Sequence, residues 1–436
     1  MKRTQTQADQ RSAIQSGAQS KRKPFTVGRR ELLSAGAAAG GLLVAAGGAS
    51  RVLAAEPLPV PPQMKVPGRT FSGYGQPAKA EETVQRFLTK PYGDIGGGSG
   101  NSQTPIQALN GTITPSGLHF ERHHNGVPDI DPAQHRFVIH GLVKRPLAFG
   151  VADLLRYPQV SRIHFIECSG NGSRGFLPEP VQAPAGVLRG MISNSEWTGI
   201  PLSVLLEEAG IETQGKWLLA EGSDSAAMSR SVPMVKALDD AMIGLYQNGE
   251  RLRPEQGYPM RLLLPGFEGN TNIKWLRRIQ VMDSPMFTKD ETSKYTDLMP
   301  DGKARQFTLE LGTNSIITRP SLGMKLEKGF HEITGMAWSG GGRIAKVDVS
   351  TDGGVTWHPA ALQGESHPKA VARFRMAWEW NGTEAMLQSR STDEKGRVQP
   401  SRKMLIPQYS AGNTYHNHTI HSWLVQPDGS IRHAYA

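Results

Sequence analysis

Apolar and polar residues alternate along this chain in short runs, and the period of the pattern changes with position. Between about residues 106 and 285 two periods are mixed. Arg136-Phe137-Val138-Ile139-His140 and Ile163-His164-Phe165-Ile166 read as strands. Val151 to Tyr157 and Leu202 to Ala209 carry apolar residues at helical spacing. Leu262 to Leu264 reads as a buried strand ended by Pro265-Gly266. From about 305 onward the period is two. Lys346 to Ser350 and Arg373 to Trp378 are separated by the turns Gly340-Gly341-Gly342 and Asp352-Gly353-Gly354, a spacing that predicts a β-sandwich. The pattern therefore predicts an α+β chain: a mixed-sheet domain over 106–300 and a sandwich over 301–436. Residues 55–105, rich in Pro and Gly, read as an extended arm.

The first 54 residues follow a different rule. A basic stretch ending in Arg29-Arg30 precedes a charge-free apolar run from Leu32 to Ser50, and small residues close it at Ala54-Ala55. That order is an export signal, and the paired arginines make it a twin-arginine signal. The expected location is the periplasm. The alternative is a membrane anchor, which the run reaches only if every Gly and Ala is counted. Because the twin-arginine route carries folded proteins, it suits a chain that acquires a cofactor before export. Residues 1–54 hold nine Lys or Arg and two Asp or Glu, hence +7 of the formal +10. What remains, near +3, offers no dense basic face, so nucleic acid is not an expected partner.

There is a single cysteine, Cys168. An internal disulfide, a several-thiolate iron–sulfur cluster and a C-x-x-C-H haem attachment are excluded for this sequence. Cys168 stands where an expected strand runs into Ser169-Gly170-Asn171-Gly172-Ser173-Arg174-Gly175. Such a turn lets a ligand approach the backbone, and Arg174 adds positive charge nearby. Both features favour a thiolate, the ligand type suited to a redox-active metal. An inert buried cysteine fits the same residues, and the residues alone leave the two readings open.

The run Cys168-Ser169-Gly170-Asn171-Gly172 resembles the cysteine motif of the sulfite oxidase family of molybdopterin enzymes. Further segments match that family in order: Phe120 to His124 with Val127-Pro128, Glu221 to Asp224, Ser231 to Pro233, Leu245 to Gly249, Gly257 to Arg261 and Asn272 to Leu276. Ala337 to Arg343 and Asp348 to Trp357 resemble the family's immunoglobulin-like dimerisation domain. Within the family, Phe137 to Cys168 looks most like the molybdenum subunit of bacterial sulfur-oxidising (Sox) sulfane dehydrogenases.

The resemblance implies an oxidoreductase with one molybdenum per chain, held by a pyranopterin and by Cys168. It implies Tyr246 at the substrate face, and Arg122, with Arg174, on a sulfite-like anion. Phe120, His124, Asp224, Arg261, Asn272, Ile273 and Lys274 would hold the pterin. The implied reaction oxidises sulfite or protein-bound sulfane sulfur with oxygen from water. With no haem in this chain, electrons would pass to a separate c-type cytochrome. A sulfur-carrier protein and oligomerisation through the C-terminal domain are the other expected associations.

The sequence departs from the pattern in three places. Gly172-Ser173 precede Arg174, Gln256 replaces a histidine, and a pocket tryptophan falls at Val187. Together they point to a pocket altered for another sulfur substrate. The alternatives are a periplasmic molybdopterin reductase, for example of methionine sulfoxide, a non-catalytic exported binding module, and a Cys-nucleophile hydrolase. His416, His418 and His421 alternate on an expected sandwich strand. They read as surface or interface residues, with a metal site as the lesser alternative.

Overall fold

The computed structural model describes residues 60–89 and 98–436. The expected export signal lies outside them. Residues 60–75 contain one 3-10 turn, Pro62–Met64, which buries no side chain. Residues 76–436 cluster into one compact unit. No helix among the described residues is long and apolar enough to cross a membrane.

In chain order, after the two-residue strand Phe87–Leu88, come β1 (Gly100–Gln103), β2 (Arg122–His123), β3 (Phe137–Gly141), β4 (Leu147–Phe149) and β5 (Val160–Glu167). They are followed by β6 (Ile192–Pro201), β7 (Trp217–Gly222), β8 (Ser229–Pro233), β9 (Met242–Gln247), β10 (Arg261–Leu263) and β11 (Leu276–Met282). One sheet runs β5-β6-β9, with β10 and the short Glu250–Arg251 strand sharing the far edge of β9. The other runs β4-β3-β11-β7-β8, and β3 is parallel to β11. Short helices connect them: α1 (Val151–Leu154), α2 (Ala185–Arg189), α3 (Leu202–Ala209), α4 (Met234–Asp239) and α5 (Lys289–Thr292).

Period and observed element agree most closely at α3. Leu202, Leu205, Leu206 and Ala209 are buried on one face, and Gly210 ends the helix at φ 71°. Such a left-handed C-terminus suits glycine, which has no Cβ to collide. The expected helix from Val151 stops at Leu154 and finishes as turns through Tyr157. Pro158 explains the early stop, since the residue before a proline is steered away from helix.

The C-terminal region is all antiparallel. Its strands are β12 (Asn314–Arg319), β13 (Gly329–Trp338), β14 (Ile344–Ser350), β15 (His358–Gln363), β16 (Ala372–Trp380), β17 (Ala385–Asp393), β18 (Ser422–Val425) and β19 (Ile431–Ala434). They form one curled sheet in the order β12-β13-β16-β15-β14-β17-β18-β19, and the curl brings β12 against β17. The α+β fold with an immunoglobulin-like sandwich is thus the observed one. Trp338, Phe374 and Trp423 fill the sandwich core together with Phe165, Leu188 and Ile192 from the first region. Fully burying an apolar side chain of this size contributes roughly 1.5–3 kcal/mol. The two regions therefore share one core where the strand leading to Cys168 passes.

The histidine expectation is corrected. His416 to His421 precede β18 and belong to no strand, and His416 has φ 59°, outside extended geometry. His416 and His421 are buried rather than on the surface. Among the described residues, no group of three or more His, Cys, Asp or Glu is placed to hold a metal.

Candidate active site

Cys168 follows β5 directly and is buried. The turn after it is pinned from several sides. Asn171 N–H donates to Cys168 O at 2.8 Å. The Asn171 amide donates to Glu167 Oε1 at 2.9 Å and to Arg189 O at 3.1 Å, while its oxygen accepts from Met191 N at 3.1 Å. His416 N–H donates to Ser169 O at 2.9 Å, and Asn270 to Ser169 Oγ at 3.1 Å. Trp338 Nε1 donates to Glu167 Oε2 at 2.7 Å, so a sandwich residue anchors the cysteine strand.

Gly172 must be glycine for two reasons. Its φ is 78°, and a Cβ there would lie 2.1 Å from Arg189 Nη1.

Cys168 opens into a cleft whose free space, counting the solvent at its mouth, is about 670 Å³. The cleft is lined by every residue the sequence assigned to the cofactor: Phe120, His124, Asp224, Arg261, Asn272, Ile273 and Lys274. Arg122 lines it too. Gln256, the residue standing where a histidine was expected, donates to Phe120 O at 3.0 Å and so holds one wall.

The electrostatics of the cleft are lopsided. Arg261 is 2% exposed, and its bonds go to the backbone carbonyls of Gln256 and Asn272, both at 3.0 Å, and to the Gln256 side-chain oxygen at 3.5 Å. Its Nε has no partner, and burial without a carboxylate lowers its pKa to about 9. Lys274 Nζ donates to Arg122 O, His123 Nδ1 and Glu255 O at 3.2, 2.8 and 3.1 Å. Burial, reinforced by Arg261, holds Lys274 well below the usual lysine range. His119 is held neutral by burial, at about 3, and its Nε2 has no partner. Buried donors that lack acceptors are costly. Arg261 Nε is such a donor, and together with the buried cationic side chains it makes the cleft favour an anionic ligand.

Two of the three residues expected at the substrate face are elsewhere. Arg174 does not line the cleft. It lies in the 3-10 turn Ser173–Phe176, and its Nη1 donates to Val187 O. The resemblance and its nearness to Cys168 both pointed to the cleft, but the left-handed Gly172 and the turn after it hold the side chain at Val187 instead. Tyr246 also lies outside the cleft. Its ring packs under Arg251, with the guanidinium carbon 4.8 Å from the centroid. Val187 sits on α2 and packs against the sandwich core, so the change expected there does not border this cleft.

The tyrosine that does line the cleft is Tyr295, which the sequence reading missed. Its hydroxyl is 2.7 Å from His124 Nε2. Burial raises the phenol well above its ordinary pKa, while burial and then Arg122 lower His124 to about 3. The phenol therefore keeps its proton and the imidazole stays neutral. Tyr295 follows α5 in an irregular segment at φ 55°, with no periodic pattern to mark it.

The thiol environment also departs from the expectation. Burial pushes Cys168 up, and the cation that opposes this is Arg122, not Arg174.

Comparison with known proteins follows the same division. The oxidoreductase molybdopterin binding domain matches residues 124–289, and the Mo-co oxidoreductase dimerisation domain matches residues 305–423. Mitochondrial sulfite oxidase of Rattus norvegicus is 33% identical over 303 residues, covering 64% of this chain and 54% of that protein. Sulfite oxidase of Gallus gallus is 31% identical over 326 residues, covering 69% of this chain and 71% of that one. The chain thus spans about half the length of the mammalian relative. Among solved structures, the sulfane dehydrogenase SoxCD from Paracoccus pantotrophus superposes with a TM-score of 0.83 at 43% identity, covering 86% of this chain and 97% of that one.

The cleft fits a molybdopterin on its own chemistry. A soft sulfur ligand stands in a cleft whose other walls offer an unpartnered buried donor, Arg261 Nε, to an anionic tail.

Proposed function

Since the chain belongs to the sulfite oxidase family of molybdopterin-binding oxidoreductases, we propose that it oxidises sulfite or protein-bound sulfane sulfur at Cys168. The observation that carries this reading is the coincidence of Cys168, Arg122 and the Tyr295–His124 pair in one cation-rich cleft. When bound, the molybdenum pterin supplies the two-electron oxidation and the oxygen-atom transfer, with water as the source of oxygen.

The protein's own residues do the rest. Cys168 ligates as a thiolate. Arg261, Lys274, Asn272 and the backbone near Ile273 hold the pterin and its phosphate, with Asp224, Phe120 and His124 completing the walls. Arg122 orients the sulfur oxyanion through charge-assisted bonds, to which a planar guanidinium is suited. Tyr295 holds a proton at its hydroxyl oxygen, poised against His124 Nε2, so that a proton can move at that point.

The remaining parts of the reading rest on the sequence. The twin-arginine signal over 1–54 supports export to the periplasm. The lone cysteine supports a separate c-type cytochrome as electron acceptor. The SoxCD likeness supports a partner subunit and a substrate presented on a carrier protein, and the dimerisation domain supports oligomerisation through 301–436.

Metal and pterin analysis of the exported protein, followed by cytochrome c reduction with sulfite, thiosulfate and carrier-bound sulfur, tests the proposal. About one molybdenum per chain and sulfur-dependent cytochrome reduction are expected. Metal-free protein that is fully folded and exported sinks the enzyme reading. Turnover of free sulfite with no extra electrons from carrier-bound sulfur removes the sulfane part.

A further inference from the structure

A second, smaller cavity borders the Cys168 turn through Gly172 and Gly175 but shares no lining residue with the cleft. Its polar walls are Arg174, Arg189, His421, His433 and Tyr435, and no carboxylate lines it. The surroundings are those of a site built for negative charge.

His421 is 7% exposed, and neither ring nitrogen has a partner. Its ring stacks on that of His433, centroids 4.2 Å apart and 8° from parallel. His433 Nδ1 lies 2.8 Å from Val181 O, so that nitrogen carries the hydrogen of the neutral ring and Nε2 keeps a lone pair. Arg189 is 3% exposed and reaches only Asn417 O, Asn417 Oδ1 and Thr419 O, all neutral acceptors. Burial lowers its pKa to about 10. Arg174 gives one nitrogen to Val187 O, and the Tyr435 hydroxyl donates to Leu177 O at 3.0 Å. The nearest acidic groups, Glu167 toward Arg189 and Glu179 toward Tyr435, stand outside the lining.

Two guanidinium charges face one cavity with only neutral acceptors, and the neutral His421 ring leaves its one N–H buried and unmet. We propose that this cavity binds a tetrahedral inorganic oxyanion, sulfate or phosphate, at a site separate from the cleft. The bound anion rests on Arg174 and Arg189. Arg189 is also the group against which Gly172 is packed, so the anion buttresses the turn that carries Cys168. The proposal does not depend on what the cleft catalyses.

Equilibrium dialysis of the intact purified protein against radiolabelled sulfate, and separately phosphate, in chloride buffer of fixed ionic strength tests it. One saturable site per chain is expected for at least one of the two ions. It should survive Arg122→Gln, which alters the cleft, and weaken by at least about tenfold in Arg174→Gln and in His421→Leu, the loss expected for a charge-assisted bond. Should His421→Leu not fold, the half-buried Arg174 still decides the matter. The proposal is overturned if neither ion binds saturably, or if binding is lost in Arg122→Gln and kept in Arg174→Gln.

Discussion

Two arginines in this chain are equally buried and do opposite things. Arg230 is 0% exposed and lies between Glu268 and Glu291, with N–O distances of 2.9 Å to each. Burial opposes its charge, but the two carboxylates outweigh burial and raise its pKa. Glu268 continues to His416, at 3.5 Å, and there too the carboxylate overcomes burial and raises the histidine. The counter-charges in this region are internal, although Arg230 Nη1 has no hydrogen-bond partner. Arg261, in the cleft, meets only carbonyls, and its pKa falls. A buried cation whose counter-charge is internal is scaffolding, whereas one without it awaits a ligand. Tyr295 is the shared wall: Arg230 stands 5.2 Å from its ring centroid, and its hydroxyl faces the cleft.

The sharpest way to break the contrast is Arg230→Met. It strands two buried carboxylates, so the urea midpoint should fall by the equivalent of about 3–5 kcal/mol. A change below 1 kcal/mol would show that the network is not the closed unit described. Next comes Tyr295→Phe, which should lower kcat by about 10²-fold with the protein fully folded, as expected for a lost proton-handling group. Tyr246→Phe in the same assay should leave kcat unchanged, and the reverse ranking would restore Tyr246 to the substrate face.

The third test is pH. Folded His119 titrates near 3, below its ordinary 6.5. As pH falls through 6.5, the unfolded chain takes up a proton that the folded chain refuses. This histidine's contribution is therefore complete above 6.5 and is lost toward 3, at roughly 1.4 kcal/mol per pH unit. His119→Gln should flatten that part of the denaturation profile; an unchanged slope would mean the ring is not held neutral. His416 carries the opposite sign, because its raised value gives stability at low pH that fades as pH rises through the folded pKa. The smallest effect is expected from Arg261→Met. Cofactor-free stability should move by only about 1 kcal/mol, since relief of a buried charge offsets the lost carbonyl bonds. Bound pterin, read by its fluorescence after release, should drop sharply. A large stability loss with pterin retained would make Arg261 structural like Arg230.

What the sequence disclosed depended on whether the signal was local. Helix Leu202–Ala209 and strand Ile344–Ser350 are written in the apolar period, and Cys168 in the turn that follows its strand. The cofactor wall was legible because the ordered motifs fall on residues that line one cleft. Tyr295 was not, because its place depends on an irregular segment returning over the cysteine strand. Arg174 was placed near the thiol by its nearness in sequence and on the anion by the resemblance, yet it does not line the cleft, and Arg122, 46 positions before Cys168, supplies the charge felt by Cys168. The histidines at 416–421 alternate as a strand would, but a left-handed residue at 416 and buried hydrogen bonding break the strand.

The contact between Gly172 and Arg189 has an engineering corollary. The Arg189 guanidinium occupies the volume that any side chain at 172 would need. The two positions are therefore coupled: a side chain at 172 requires the Arg189 guanidinium to move. Introducing one into this chain calls for a shorter residue at 189 in the same molecule.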